Sequence, residues 1–349
     1  MNTNIDISAE DPFYSIYNDL RDFDFSNYDN FVKLINSSSQ SLCKSSYLIN
    51  NSVCPKYNLS SLSLESLHDR FSVDVNGVVF DCLMTPYDLK KHKSLFVIFS
   101  GSRNSENDII PQFKRWSYYP FINSVILNIA DPMYTQYKNL KLGWYFGTKD
   151  ECFLEYLSDI IKRVAFFLNI DSGDLYLFGS SGGGYAALQL SMYLPNSNHI
   201  VINPQIQIEK YFYSQKFSDL IGVDLFAYDP YRRNDTLNII KECIHSNKGK
   251  FLILQNLQAK DDCVNHLFPL LNSLNVNTLN LGLNCQNNLL VWLYSCHGGH
   301  NTQGDQFIFS HIIYLAHKLS KEEVITPFDQ YLIKNVTLLW GQIEWLKRH

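Results

Sequence analysis

The chain has 349 residues, 46% of them hydrophobic and 14% aromatic, enough for the core of one large α/β domain. A formal charge of −5 exerts no general pull on nucleic acid or an anionic bilayer, so nucleic acid is not an expected partner. No apolar run reaches the roughly 20 residues of a membrane span, and the polar, acidic opening Met1 to Asp11 lacks the basic-then-apolar order of a secretory signal, so a cytoplasmic setting is expected.

Residues 1–70 are rich in Ser, Asn, Asp and Tyr, with weak helical periodicity over Phe13 to Leu20 and Tyr28 to Ile35. They read as a helical lead-in and loop packed on a catalytic domain spanning 71–349. From Arg70 the pattern alternates. Phe71 to Val75, Asn76-Gly77 and Val78 to Leu83 predict a hairpin with a tight turn. Ser94 to Ser100 and Ser124 to Ala130 are continuous apolar runs of the kind found in strands buried on both faces. The first enters Gly101-Ser102-Arg103-Asn104 and the second Asp131-Pro132, with a polar and aromatic crossover, Asp108 to Tyr119, between them. Glu151 to Leu168 carries an apolar stripe (Phe153, Leu157, Ile160, Ile161, Val164, Phe167, Leu168) that predicts a helix facing a sheet.

The apolar run Leu175 to Phe178 then enters Gly179-Ser180-Ser181-Gly182-Gly183 and passes into the helix-forming run Tyr185 to Leu194. Gly-x-Ser-x-Gly between strand and helix lifts a serine hydroxyl above the sheet, and small neighbours are needed where the two backbones nearly touch. A glycine-rich turn there can instead cradle phosphate, but no Gly-Lys-Ser/Thr ending follows and no acidic residue stands at the distance of a ribose contact. Ser181 is therefore the candidate nucleophile, and the Gly182 amide at the helix start is placed to receive an oxyanion.

His199 to Asn203 predicts the next strand, stopped by Pro204. Residues 205–249 carry Tyr211, Phe212, Tyr213, Phe217, Phe226, Tyr228 and Tyr231 among charges, which suits either a lid-like insertion over the strand ends or a plain pair of packing helices. Lys250 to Gln255 resumes the sheet, and Asp261-Asp262-Cys263-Val264 opens a helix toward Leu274. Leu289 to Tyr294 is the last predicted strand, followed by Ser295-Cys296-His297-Gly298-Gly299-His300 and helices near 305–319 and 328–347. Strands alternating with helices predict a mostly parallel sheet covered on both faces.

Three polar loops thus fall at strand ends in the order Ser181, then Asp261 or Asp262, then His300 or His297. A serine hydroxyl becomes nucleophilic when a neutral imidazole takes its proton, and a carboxylate fixes that imidazole's tautomer. The eight cysteines (Cys43, Cys54, Cys82, Cys152, Cys243, Cys263, Cys285, Cys296) have neither finger-like spacing nor a disulfide framework. No metal is expected at the histidines.

The chain order, Gly-x-Ser-x-Gly-Gly at the elbow, Asp-x-x-Val after the next-to-last core strand and Gly-His after the last together resemble the α/β-hydrolase fold over about Phe71 to Leu319. That resemblance implies Ser181 as nucleophile, Asp261 in preference to Asp262 as the acid, and His300 in preference to His297 as the base. It also implies oxyanion donors at Gly182 and at Ser102 or Arg103. Gly-Ser-Ser-Gly-Gly-Gly-Tyr-Ala-Ala-Leu with the later Asn203-Pro204-Gln205 is similar to hydrolase-like proteins of bacterial surface-polysaccharide biosynthesis, some of them capsule O-acetyltransferases. This implies a serine esterase or O-acetyltransferase acting on a glycan, with acetyl-CoA as acyl donor if a transferase and no cofactor for hydrolysis, working in the cytoplasm or beside a membrane assembly. A peptidase or thioesterase with the same three residues, and a non-catalytic scaffold of the same fold, are the alternatives.

Overall fold

The computed structural model describes residues 54–346 apart from 68, 86, 91, 104–109, 116–121, 123, 247, 277–279 and 302–305. The lead-in helices expected over Phe13 to Leu20 and Tyr28 to Ile35 lie outside the described residues, as do 108–109 and 116–119 of the crossover expected over Asp108 to Tyr119.

The strands are β1 (Lys56–Asn58), β2 (Arg70–Val75), β3 (Val78–Met84), β4 (Leu95–Phe99), β5 (Val125–Ile129), β6 (Leu175–Ser180), β7 (Asn198–Ile202), β8 (Lys250–Asn256), β9 (Gly282–Gln286) and β10 (Leu289–Tyr294). They form one sheet in the order β1-β2-β3-β5-β4-β6-β7-β8-β10-β9. From β5 through β4, β6, β7 and β8 to β10 every pair is parallel. The β2–β3 hairpin joins β5 antiparallel, and β9 closes the far edge antiparallel to β10. The hairpin turns at Asn76 and Gly77, both at positive φ (52° and 88°), and the Gly77 amide donates to Asp74 Oδ1 at 2.8 Å. That backbone matches the twist of the strands it joins. The short edge strands β1 and β9 are additions to the strands expected from the sequence.

Side chains alternate between two cores, as a two-residue period requires. In β4, Leu95, Val97 and Phe99 enter the larger core while Phe96 and Ile98 enter the smaller one. The larger core is covered by α1 (Phe153–Leu168) through Phe153, Leu157, Ile160, Ile161 and Val164, by α2 (Gly182–Gln189), and by residues from the 205–249 stretch. That stretch contains α3 (Ser214–Ile221) and α4 (Thr236–His245). A helix with a π-turn follows β8 over Lys260–Ser273 and is labelled α5. The smaller core is covered by α6 (Gln306–Ser320) and α7 (Pro327–Leu346), through Phe309, Ile312, Ile333 and Trp340.

The first part of 205–249 places Tyr211 and Phe212 in one cleft lining with Asp262 and His300, and α4 buries Ile239, Ile240, Cys243 and Ile244. The bend before α4 is anchored by the buried Arg233, which pairs with Asp229 at 2.8 Å and donates to the carbonyls of Phe146, Thr148 and Glu151. None of the seven described cysteines is in a disulfide. No helix among the described residues is long and apolar enough to cross a membrane.

Inside the sheet, His199 on β7 stacks on Phe251 with ring centroids 4.9 Å apart, and its Nδ1 lies 2.7 Å from the Ala187 carbonyl. Burial pushes its pKa down from 6.5 to about 4. The folded chain therefore binds fewer protons than the unfolded chain between those values, so this contribution is present above about pH 6.5 and is lost as pH falls toward 4. Thermal melting is expected to fall over that window, and to fall less steeply in His199→Phe, which keeps the stack but has no proton to take up. An identical slope in the two proteins would contradict neutral burial of this ring.

Candidate active site

The turn after β6 has little freedom. Ser181 adopts φ 55°, ψ −122°, a conformation that costs a residue with a Cβ about 1–3 kcal/mol and persists only where its surroundings enforce it. Its amide donates to the Ile202 carbonyl on β7 at 3.0 Å, and its carbonyl accepts from Tyr185 at 3.1 Å and from Gln205 at 3.3 Å. A Cβ at Gly179 would overlap the Gly183 carbonyl, and one at Gly183 would come within 2.6 Å of the Phe99 carbonyl on β4. The motif's two fixed glycines are thus dictated by contact between strand and helix.

Parallel pairing brings the other loops to the same rim. Ser180 pairs with Ile202, and Asn256 with Tyr294. At the ends of β7 and β8, two asparagines clamp the loop that bears the histidines. Asn256 Nδ2 donates to the carbonyls of Cys296 (2.8 Å) and Gly299 (2.9 Å), while its Oδ1 accepts from the Cys296 amide at 3.0 Å. Asn203 Nδ2 donates to the His300 carbonyl at 3.1 Å, and its Oδ1 accepts from the Asn256 amide at 2.8 Å. His300 is thereby held with Nε2 2.8 Å from Ser181 Oγ and Nδ1 2.5 Å from Asp262 Oδ2.

The carboxylate facing His300 belongs to Asp262. The preference for Asp261 is corrected: Asp261 is exposed, while Asp262 is buried on the inner face of α5 with Cys263, His266 and Leu267. At about 100° per residue, Asp262, Cys263, His266 and Leu267 share the inward face of α5, while Asp261 and Val264 fall on the outward one. The inward phase was available in the apolar spacing of Cys263, Leu267, Leu270 and Leu271; the Asp-x-x-Val template pointed instead to a register in which Val264 is 61% exposed. His297 is exposed.

Of the expected oxyanion donors, Gly182 opens α2 directly after the serine. The Gly101 turn lies against it, with a Cβ built on Gly101 falling 3.6 Å from Ser181 Cβ and 3.9 Å from the Gly182 nitrogen. Arg103 is corrected: its amide is already bonded to the Lys141 carbonyl at 3.0 Å, and its buried guanidinium donates to the carbonyls of Leu140 and Lys138. Ser102 is exposed and lines a cleft that His300 and Asp262 also line.

That cleft has a volume of about 710 Å³ and includes Ser102, Tyr211, Phe212, Asp262, His266 and His300 in its lining. Tyr211 lies 6.3 Å from the His300 ring, centroid to centroid, and Phe212 lies 4.5 Å from Tyr211. Burial first, then the charge of Asp262, pushes the Tyr211 phenol up to about 12, so it stays protonated. Burial pushes His266 down to about 4, leaving a neutral ring whose Nδ1 accepts from the Gln207 amide at 3.3 Å. One contact has no counterpart in the expected set: Gln205 Nε2 lies 3.0 Å from Ser181 Oγ. Among the described residues no group of three or more His, Cys, Asp or Glu side chains is arranged to hold a metal.

A serine at a strained strand-to-helix turn, an acid after β8 and a histidine after β10, on a mainly parallel sheet opened by an antiparallel hairpin, fix the architecture. The chain has the α/β-hydrolase fold. No protein-family model matches it, and no curated protein matches it in sequence. Among solved structures it is similar to the Glycosylation Associate Protein (Gap123) complex from Streptococcus agalactiae, with TM-score 0.51 and 19% identity, over 75% of this chain and 47% of that one. The chain thus spans about half the length of that protein. A capsule O-acetyltransferase of Neisseria meningitidis serogroup A aligns with TM-score 0.49 and 23% identity, over 72% of this chain and 94% of that one. An S-formylglutathione hydrolase from Agrobacterium tumefaciens aligns with TM-score 0.49 and 13% identity, over 73% and 95%.

The contacts of this α/β-hydrolase rim separate neighbouring residues sharply. Phosphonylation of Ser181 by a fluorophosphonate is expected to slow by about 1,000-fold or more in Asp262→Asn or His300→Ala, and by less than about threefold in Asp261→Asn or His297→Ala. Equal losses within either pair would contradict the assignment.

Proposed function

We propose that this chain is a serine-dependent acyl-transfer enzyme acting on an ester, with Ser181 as nucleophile, His300 as base and Asp262 as the carboxylate that orients it. The observation that carries the reading is the unbroken path from Asp262 Oδ2 through His300 to Ser181 Oγ, with spans of 2.5 and 2.8 Å. Ser181 Oγ attacks the acyl carbonyl as its proton passes to His300 Nε2. The carbonyl electron pair moves to oxygen, where the amides of Gly182 and Ser102 receive the charge. Collapse expels the alcohol or thiol, which takes the proton back from His300, and leaves an acyl-Ser181 ester. A second hydroxyl, from water or an acceptor, gives its proton to His300 and removes the acyl group by the same steps in reverse order.

The finer reading is an esterase or O-acetyltransferase on a glycan. It is supported by the aromatic faces of Tyr211 and Phe212 beside the amides of Gln258, Asn265 and Asn301 in the cleft, a mixture that stacks on sugar rings and bonds to hydroxyls. Were acetyl-CoA the acyl donor, Lys210 and Lys260 on the same cleft wall have the charge to meet its phosphates, and the donor would supply a thioester for Ser181 to attack.

Wild-type protein is expected to turn over p-nitrophenyl acetate and to be labelled by a fluorophosphonate at Ser181. The folded Ser181→Ala variant should lose the label and at least about 1,000-fold in turnover. Wild-type protein that neither reacts with the probe nor hydrolyses the ester would leave a scaffold of this fold as the better description. Acetyl-CoA consumption that rises when a glycan acceptor is added separates transfer from hydrolysis.

A further inference from the structure

The contact between Gln205 and Ser181 goes beyond the three residues of the proposed mechanism. Gln205 follows β7 and is wholly buried. Its Oε1 lies 2.5 Å from the indole Nε1 of Trp144, itself 1% exposed. An indole N–H can only donate, so Oε1 must be the atom facing Trp144, and the amide end, Nε2, must be the one that faces Ser181 Oγ at 3.0 Å. The assignment of amide oxygen and nitrogen, ordinarily a choice, is forced here by a partner with no acceptor.

Trp144 is itself held in place. It sits at φ 56° in a loop whose next amide, that of Tyr145, donates to the buried Asp131 Oδ2 at 3.0 Å. Its ring packs edge-on against Phe217 at 4.8 Å and Tyr211 at 6.1 Å. The Gln205 backbone also donates to the Ser181 carbonyl, so one residue grips the serine at both main chain and hydroxyl.

A serine hydroxyl has one proton and two lone pairs. With the proton directed at His300 Nε2 and one lone pair accepting from Gln205, the remaining lone pair is the one free to meet a carbonyl carbon. We infer that Gln205 is a catalytic hydrogen-bond donor to the reacting oxygen of Ser181, with Trp144 as the positioning residue that orients its amide; this rests on the acyl-transfer reading above. The bond weakens the resting nucleophile slightly. It strengthens as Oγ surrenders its proton, and again as Oγ regains electrons when the acyl ester is broken, so its net effect lies in the transition states.

Gln205→Leu is expected to lower kcat for p-nitrophenyl acetate by roughly 10- to 100-fold with KM nearly unchanged, less than the ~100- to 1,000-fold typical of an oxyanion donor because the charge on Oγ is smaller. Trp144→Phe should lose several-fold, and adding it to Gln205→Leu should cost nothing more, since the second change acts only through the first. Gln205→Glu keeps the acceptor for Trp144 but turns a proton-less carboxylate oxygen toward Oγ. Its activity relative to wild type at the same pH should rise about tenfold on acidification from pH 8 to 5.5, as burial raises that carboxyl and protonation restores the donor. This relative pH profile also decides the matter if Gln205→Leu fails to fold.

Wild-type labelling of Ser181 together with an unchanged kcat in Gln205→Leu, or a flat relative profile in Gln205→Glu, would overturn the inference and leave the acyl-transfer reading standing. Additive losses for Trp144→Phe and Gln205→Leu would overturn the positioning role of Trp144. A wild-type protein that the probe does not label would overturn both readings together.

Discussion

The site depends on one strained residue. Ser181 is held at a positive φ between a strand and a helix that touch through two glycines, and the hydrogen bonds to Ile202, Tyr185 and Gln205 offset a strain of about 1–3 kcal/mol. The same bend starts α2, so the first free amide of the helix and the serine hydroxyl emerge at one place. Relaxing the turn would move the serine hydroxyl and that amide together. The glycines, the helix start and the rim position of the hydroxyl are consequences of a single backbone constraint.

Around that bend the carboxylate of Asp262 meets the histidine ring directly. Asp262 is buried against His300 Nδ1, while the neighbouring titratable groups stay neutral near pH 7: His266 is pushed down to about 4 and Tyr211 up to about 12, in both cases chiefly by burial. Rigidity comes from neutral groups: Asn203 and Asn256 tie the histidine loop to two strand ends, and Trp144 sets the Gln205 amide. Buried amides suit this work because they fix geometry without adding charge, provided every donor and acceptor near the centre is used.

Much of this was legible in the residues. The buried runs of β4, β5, β6, β7, β8 and β10 stood out because strands covered on both faces need continuous apolar sequence, and the Gly-x-Ser-x-Gly turn because contact between strand and helix admits little else. The edge strands β1 and β9 carry no such signal: Lys56–Asn58 has three residues and Gly282–Gln286 is half polar, so neither has an apolar run. Choosing between Asp261 and Asp262 needed the phase of α5 to one residue. The π-turn over Cys263–Leu267 makes that phase hard to extrapolate from either end. Gln205 escaped because its role rests on Trp144, 61 residues earlier, and no local pattern joins them. In the 205–249 stretch, aromatic content alone did not separate cleft-lining Tyr211 and Phe212 from buried Phe217, because both environments favour the same side chains.

The central claim is that the buried carboxylate of Asp262 accepts the Nδ1 proton of His300 and so keeps Nε2 available to Ser181. Proton NMR of the full-length protein reads this directly, because a proton in a short imidazole–carboxylate hydrogen bond resonates far downfield of the amide envelope. The account predicts such a resonance in the wild type, its persistence in Asp261→Asn and its loss in Asp262→Asn. A downfield His300 resonance that survives Asp262→Asn and disappears in Asp261→Asn would contradict it.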